Sequence, residues 1–217
     1  MGIALCFVPL IFALVLTTAV YKIKITHQLI ATLLGLIAVF PISVIQYFLP
    51  EIPGLGFSLI LYSLIKSLLL YGLVEELFKM LLIIPLPHKN YSPRDFLLLA
   101  FIMGLSLGCF ESVVYYFDHL QLANYRGATL LYGQIAIRIF TSDIIHMSCM
   151  GLSGLFIYSC RNKMRHISFF VISVILHGIY DFFAGFSNNL RWFSIAVVFM
   201  ALIECRIKYT TLTNQEG

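Results

Sequence analysis

An all-α, polytopic membrane bundle of about seven spans is the fold the sequence predicts, and three observations lead to it. The 217 residues are 60% hydrophobic and 11% charged, with a mean hydropathy of +0.95, whereas a soluble domain carries about 25% charged residues. Apolar residues run without interruption over lengths suited to a membrane helix, while β-barrel strands would alternate apolar and polar residues in segments of about ten. The polar breaks between runs are too short to hold a soluble domain. The chain is therefore expected to form one membrane domain, 1–217.

Taken in order, the candidate spans are 3–21, 28–49, 57–86, 95–117, 133–160, 167–187 and 192–206. The first lacks a basic lead and an Ala-x-Ala cleavage site, so it is expected to be retained as a span. Cys6 comes too early for lipid attachment, and a myristoylation pattern opening on Met1-Gly2 would need Ser or Thr at that position. The second run is, like the first, almost free of charge, and the two are expected to be peripheral spans within 1–56. The third is too long for one upright crossing, so it must tilt, protrude or begin with a short interfacial piece before Leu61. Runs three to six, within 57–187, gather the buried polar residues and are expected to form a four-span core. The segment 188–217 adds a last span and a short tail.

Orientation follows from the loops. With seven crossings, Lys22, Lys24, Lys89, Arg94, Arg161, Lys163, Arg165, Arg206 and Lys208 share one side, and only Arg126 and Arg191 fall in loops on the other. Positive loops stay in the cytoplasm, so the N-terminus is expected outside and the C-terminus inside. The net charge of +4 is then a topology signal, and the expected surrounding is a lipid bilayer, with no nucleic-acid partner. Cys6, Cys109, Cys149, Cys160 and Cys205 form no C-x-x-C pair, which argues against a disulfide framework or cysteine-ligated zinc. The oligomeric state is left open.

The third run contains YGLVEELFKML, residues 71–81. On a helix Glu75 and Glu76 diverge by about 100°, and Lys79 lies four and three residues on, so it can neutralise one carboxylate and leave the other free. The fourth run contains GLSLGCFESVVY. It places Glu111 in the outer half and forms a small-x-x-x-small face from Gly104 and Gly108, against which another helix can come close. Glu111 can serve as a partner of Arg138, expected at a similar depth in the fifth run, or act in chemistry directly. That fifth run reads RIFTSDIIHMSCMGLSGLF, with Asp143 three residues before His146 and with Gly151 and Gly154 again suited to close approach. In the sixth, LHGIYDFF sets His177 and Asp181 at i and i+4, where Asp181 can accept the second N–H of the imidazole and orient it.

Each ionisable side chain at membrane depth costs about 3 kcal/mol, so Glu75, Glu76, Lys79, Glu111, Arg138, Asp143 and Asp181 together would cost about 20 kcal/mol unless paired. Such a load predicts a polar cavity shared among spans three to six. Two chemistries fit it, and both hydrolyse an amide. A divalent metal, Zn2+ for a His and Glu donor set, could be held by residues drawn from Glu75, Glu76, His146 and His177 and lower the pKa of bound water to about 7. Alternatively, Glu75 or Glu76 could act as general base on water, with His146 and His177 as oxyanion donors. The sequence lacks H-E-x-x-H, G-x-S-x-G and phosphate-binding glycine loops.

The order of these motifs resembles the PrsW family of intramembrane proteases, which belongs to one superfamily with the CAAX-prenyl proteases of the Glu-Glu type. Glu75-Glu76-x-x-Lys79, Glu111 after GLSLGCF, His146 followed by GLSG, and His177-Gly-x-x-Asp181 carry the resemblance, over about 71–185. One departure is visible: the second motif is usually Phe-x-x-x-Glu, whereas here Leu107 takes the aromatic position and Phe110 precedes the acid. The resemblance implies an intramembrane endopeptidase of the cytoplasmic membrane, acting on a membrane-anchored protein substrate. It implies catalytic roles for Glu75, Glu76, Lys79, Glu111, His146, His177 and Asp181. The type member clips an anti-sigma factor outside the cytoplasmic membrane as the first cut of a stress cascade. Two other classes remain: a non-catalytic membrane scaffold, as in a gamma-secretase subunit of the same superfamily, and a proton or ion carrier using the buried Glu and His residues.

Overall fold

The computed structural model describes residues 2–48, 58–86, 91–126, 128–164 and 166–216, and these are helices joined by turns. Helix α1 (Gly2–Cys6) stops at Phe7, ahead of Pro9 in the first turn of α2 (Val8–Ala19), because proline has no N–H to continue the ladder. Helix α3 is Ile25–Phe48, and α4 (Leu59–Lys66) opens on Ser58, whose hydroxyl accepts from the Leu61 amide. A π-helical segment, Ser67–Leu73, leads directly into α5 (Val74–Ile83). Helix α6 (Pro93–Arg126) begins with Ser92-Pro93-Arg94-Asp95. There the Ser92 hydroxyl accepts from the Asp95 amide, and proline stands at the first helical position. Helices α7 (Ala128–Phe140) and α8 (Ser142–Arg161) are separated by Thr141 alone. Helix α9 is Ile167–Ala184, and a 3-10 turn, Asn189–Trp192, leads into α10 (Phe193–Glu216).

Four helical stretches among the described residues are long and apolar enough to cross a membrane: Ile25–Phe48, Pro93–Leu120, Leu131–Arg161 and Ile167–Ala184. They coincide with the second, fourth, fifth and sixth predicted runs. The shorter apolar helix Val8–Ala19 falls on the first run, and α10 starts at the head of the seventh. From Leu59 on the third run is one helical path whose middle is a π segment, a feature that its length does not announce. Phe57 at its start lies outside the described residues, as do Lys89 and Arg165 of the loop charges.

Helix α8 is the hub. It is buried along most of its length and touches α5, α6, α7, α9 and α10. Small residues make this possible, as the spacing of Gly104 and Gly108 predicts: a Cβ on Gly104 would lie 2.5 Å from the His146 carbonyl oxygen and 2.8 Å from Met147 Cα. Helix α6 therefore meets α8 backbone to backbone beside His146. Outer faces stay apolar, with Phe12, Phe40 and Phe199 turned outward from α2, α3 and α10, as expected where lipid replaces water as solvent.

Candidate active site

The ionisable residues of the third to sixth runs meet where α5, α6, α8 and α9 converge, and α5 supplies the first layer. Glu76 is fully buried and its carboxylate is saturated: Lys79 Nζ donates to Oε1 at 2.8 Å, His177 Nδ1 donates to Oε1 at 2.8 Å, and the hydroxyls of Ser153 and Ser173 donate to Oε2 at 3.0 and 2.7 Å. Glu75 points elsewhere. Its Oε1 accepts from Gln46 Nε2 of α3 at 3.2 Å, while its Oε2 is buried without a hydrogen-bond partner among the described residues. That oxygen faces Lys79 Nζ at 3.5 Å, His177 Nε2 at 3.6 Å and His146 Nδ1 at 3.8 Å.

Each imidazole is held from behind by a carboxylate. His146 Nε2 donates to Glu111 Oε2 at 2.7 Å, and His177 Nδ1 donates to Glu76. Lys79 Nζ approaches His146 Nδ1 at 3.0 Å, and an ammonium can only donate, so that nitrogen carries a lone pair. His177 Nδ1 lies 2.8 Å from Glu76 Oε1 and 3.5 Å from Lys79 Nζ; the shorter contact calls for an N–H there, which leaves the lone pair on Nε2. Neither forward-facing nitrogen is within hydrogen-bond distance of Glu75 Oε2, as an N–H aimed at a carboxylate would be. Both nitrogens thus border the Glu75 oxygen that accepts no hydrogen bond.

Glu111 combines the two roles its position suggests. Arg138 Nη2 meets the same Oε2 at 3.0 Å, so the carboxylate is ion-paired while it holds His146. Arg138 also lies over the Tyr115 ring and donates from Nε to Ser112 Oγ at 3.2 Å, and Ser112 donates to Asp143 Oδ1 at 3.1 Å. Asp143 is therefore set apart from the centre, behind Arg138. Asp181 departs from the expected geometry: its Oδ2 is 3.6 Å from His177 Nε2, too far to orient the ring by a hydrogen bond. Glu76 orients it instead, from the helix across the bundle. Asp181, Glu75 and Glu111 line a cleft of about 530 Å3 with Tyr71, Tyr115 and Tyr180.

Spacing left four contributors unmarked. Ser173 lies four residues before His177 and Ser153 seven after His146, each on the same helical face as its histidine, which is the signal that could have singled them out. Gln46, near the end of α3, reads as a boundary residue, and Ser112 as an ordinary membrane serine.

A protein-family model described as PrsW family intramembrane metalloprotease matches residues 24–204. The chain belongs to the PrsW family. A comparison with curated proteins and one with solved structures return no match. Membership makes the chain a membrane-embedded peptidase, a hydrolase acting in intramembrane proteolysis on a membrane-embedded protein substrate.

The metal that the PrsW description implies has a fitting donor set. One atom each from Glu75, His146 and His177 lie within 4.8 Å of one another. The carboxylate oxygen is orphaned, both ring nitrogens present lone pairs, and each ring is backed by a carboxylate, the usual outer support of metal-bound histidine. Glu76 has no free donor atom and belongs to that outer support.

Proposed function

We propose that this PrsW protein is an endopeptidase that cuts a membrane-anchored protein in the outer half of the cytoplasmic membrane. In this reading the chain crosses seven times with its N-terminus outside, and residues 57–187 form the catalytic core. The observation that carries it is the placement of His146 Nδ1 and His177 Nε2, at 3.8 and 3.6 Å, around the Glu75 oxygen that accepts no hydrogen bond.

Glu75, His146 and His177 would hold the ion, with Zn2+ the choice that suits one carboxylate and two imidazoles. When bound, such an ion polarises the scissile carbonyl and lowers the pKa of water to about 7. The chain supplies the rest. Glu111 and Glu76 fix the two imidazole tautomers, and Arg138 pairs with Glu111 at 3.0 Å. Asp181, partly exposed on the cleft wall with Oδ2 3.6 Å from His177 Nε2, would take the proton of the attacking water and return it to the leaving amine. Gln46, Ala184, Gly185, Arg191 and Ser194 place the cleft beside the ends of α3 and α9 and the start of α10, all on the outer side in this topology. A single-pass regulator cut outside, such as an anti-sigma factor, is the substrate class that fits this opening.

A second reading rests on Lys79, whose ammonium touches the same donors. With no metal bound, Glu75 Oε2 could take a proton from water itself. Chelation separates the two. New protein N-termini should appear in membranes carrying the intact chain and be absent with His177→Ala at matched level. Under the metal reading they should also vanish on chelation and return with Zn2+. Identical termini in both membranes would overturn the peptidase reading, and chelation without effect would favour Glu75 as base.

A further inference from the structure

Lys79 is the feature that ordinary peptidase chemistry does not use. Its side chain is fully buried, and its Nζ lies 2.8 Å from Glu76 Oε1, 3.0 Å from His146 Nδ1 and 3.5 Å from Glu75 Oε2. Two of these atoms, His146 Nδ1 and Glu75 Oε2, belong to the donor set for a metal. A nitrogen lone pair serves one partner at a time, either an N–H or an ion. Two cations sharing one carboxylate oxygen in a low-dielectric interior also repel each other strongly.

We propose, building on the metal reading above, that Lys79 is a resident competitor for the metal site. With no ion bound, its ammonium caps the His146 lone pair and offsets the charge of Glu75. Ion entry requires Nζ to leave His146 Nδ1 and Glu75 Oε2 and rest on Glu76 alone. Glu76 is already its shortest contact and accepts three other donors, so it is a prepared resting place. This gives the adjacent glutamates separate tasks: Glu75 holds the ion and Glu76 holds the displaced lysine. Metal affinity is then set by the difficulty of moving Lys79 as well as by the donors.

The test uses the full chain in detergent micelles and Co2+ as probe, read by visible absorption and by bound metal after equilibrium dialysis. Lys79→Met keeps the length of the buried stem, and Lys79→Gln keeps a donor for Glu76. Both should bind Co2+ about 10- to 100-fold more tightly than the native chain, the scale on which outer partners alter a metal site. Lys79→Arg, which keeps the charge, should bind no more tightly than native. Equal Co2+ affinity in the native chain and Lys79→Met would overturn the competitor role and leave the metal reading standing, whereas no Co2+ uptake by either would overturn both. Should the variants fail to fold, a structure of the native chain saturated with Co2+ decides. Nζ withdrawn from His146 Nδ1 supports the proposal, and Nζ still at hydrogen-bond distance refutes it.

Discussion

Glu75→Gln should abolish cleavage in a protein as stable as the native one, while Glu76→Leu, one residue on, should cost the fold itself. The contrast follows from what each carboxylate touches. Glu75 keeps one oxygen free of hydrogen bonds and gives the other to Gln46, so an amide of the same shape removes a ligand or base oxygen but strands no buried charge. Lys79 still has Glu76. Loss of an acid–base group costs about 10²- to 10⁴-fold in rate, and loss of a ligand oxygen should fall in the same range, read as the yield of new N-termini. Glu76 satisfies Lys79, His177, Ser153 and Ser173 at once. Leucine there leaves a buried ammonium whose one remaining carboxylate is Glu75, at 3.5 Å, and breaking a buried pair from one side costs about 3–5 kcal/mol. Thermal unfolding in micelles should show a marked loss for Glu76→Leu and almost none for Glu75→Gln. Equal losses would refute the division of labour.

The two glutamates also show which parts of the protein the sequence exposes to reading. Charged residues inside apolar runs stand out because hydrocarbon penalises them, so Glu75, Glu76, Lys79, Glu111, His146 and His177 can be named before any coordinates. The small-residue spacing of Gly104 and Gly108 likewise announces a close helix contact, though not its partner, α8. What spacing does not carry is contact between helices. His177 and Asp181 at i and i+4 suggest an orienting pair, yet the orienting hydrogen bond comes from Glu76 on α5, more than ninety residues earlier in the chain. Nor does the sequence reveal the π segment, because Ser67–Leu73 reads as an unbroken apolar run whichever carbonyl each N–H chooses. Gln46 escapes notice for a different reason: it lies in a span expected to be peripheral, and an amide near the end of an apolar run is ordinary. The expected boundary of the core at 57 leaves that residue out, although its amide touches Glu75.

Gly72→Ala and Gly178→Ala should each disable the enzyme through a single methyl group, whereas Gly133→Ala should leave it intact. Gly72 is in the π segment, three residues before Glu75, and Gly178 follows His177. A Cβ on Gly72 would lie 2.6 Å from the Val174 carbonyl oxygen and 2.9 Å from the Gly178 amide nitrogen. A Cβ on Gly178 would lie 2.7 Å from Leu68 Cα and 3.0 Å from the Ser67 carbonyl oxygen. These neighbours are backbone and cannot rotate away, so the π segment and α9 must separate. Overpacking of this kind costs about 1–3 kcal/mol. The larger effect is on geometry, because the π segment runs directly into α5, which carries Glu75 and Glu76, while α9 carries His177. A displacement of about 1 Å at a reacting centre can cost about 10²-fold in rate, so cleavage should fall further than stability alone accounts for. Gly133 in α7 has nothing within 4 Å of the added methyl, and alanine in an open helical position gains up to about 1 kcal/mol. Cleavage yield and unfolding midpoint measured together on the three variants decide the matter. Native cleavage in Gly178→Ala would mean that the register between the π segment and α9 does not set the site.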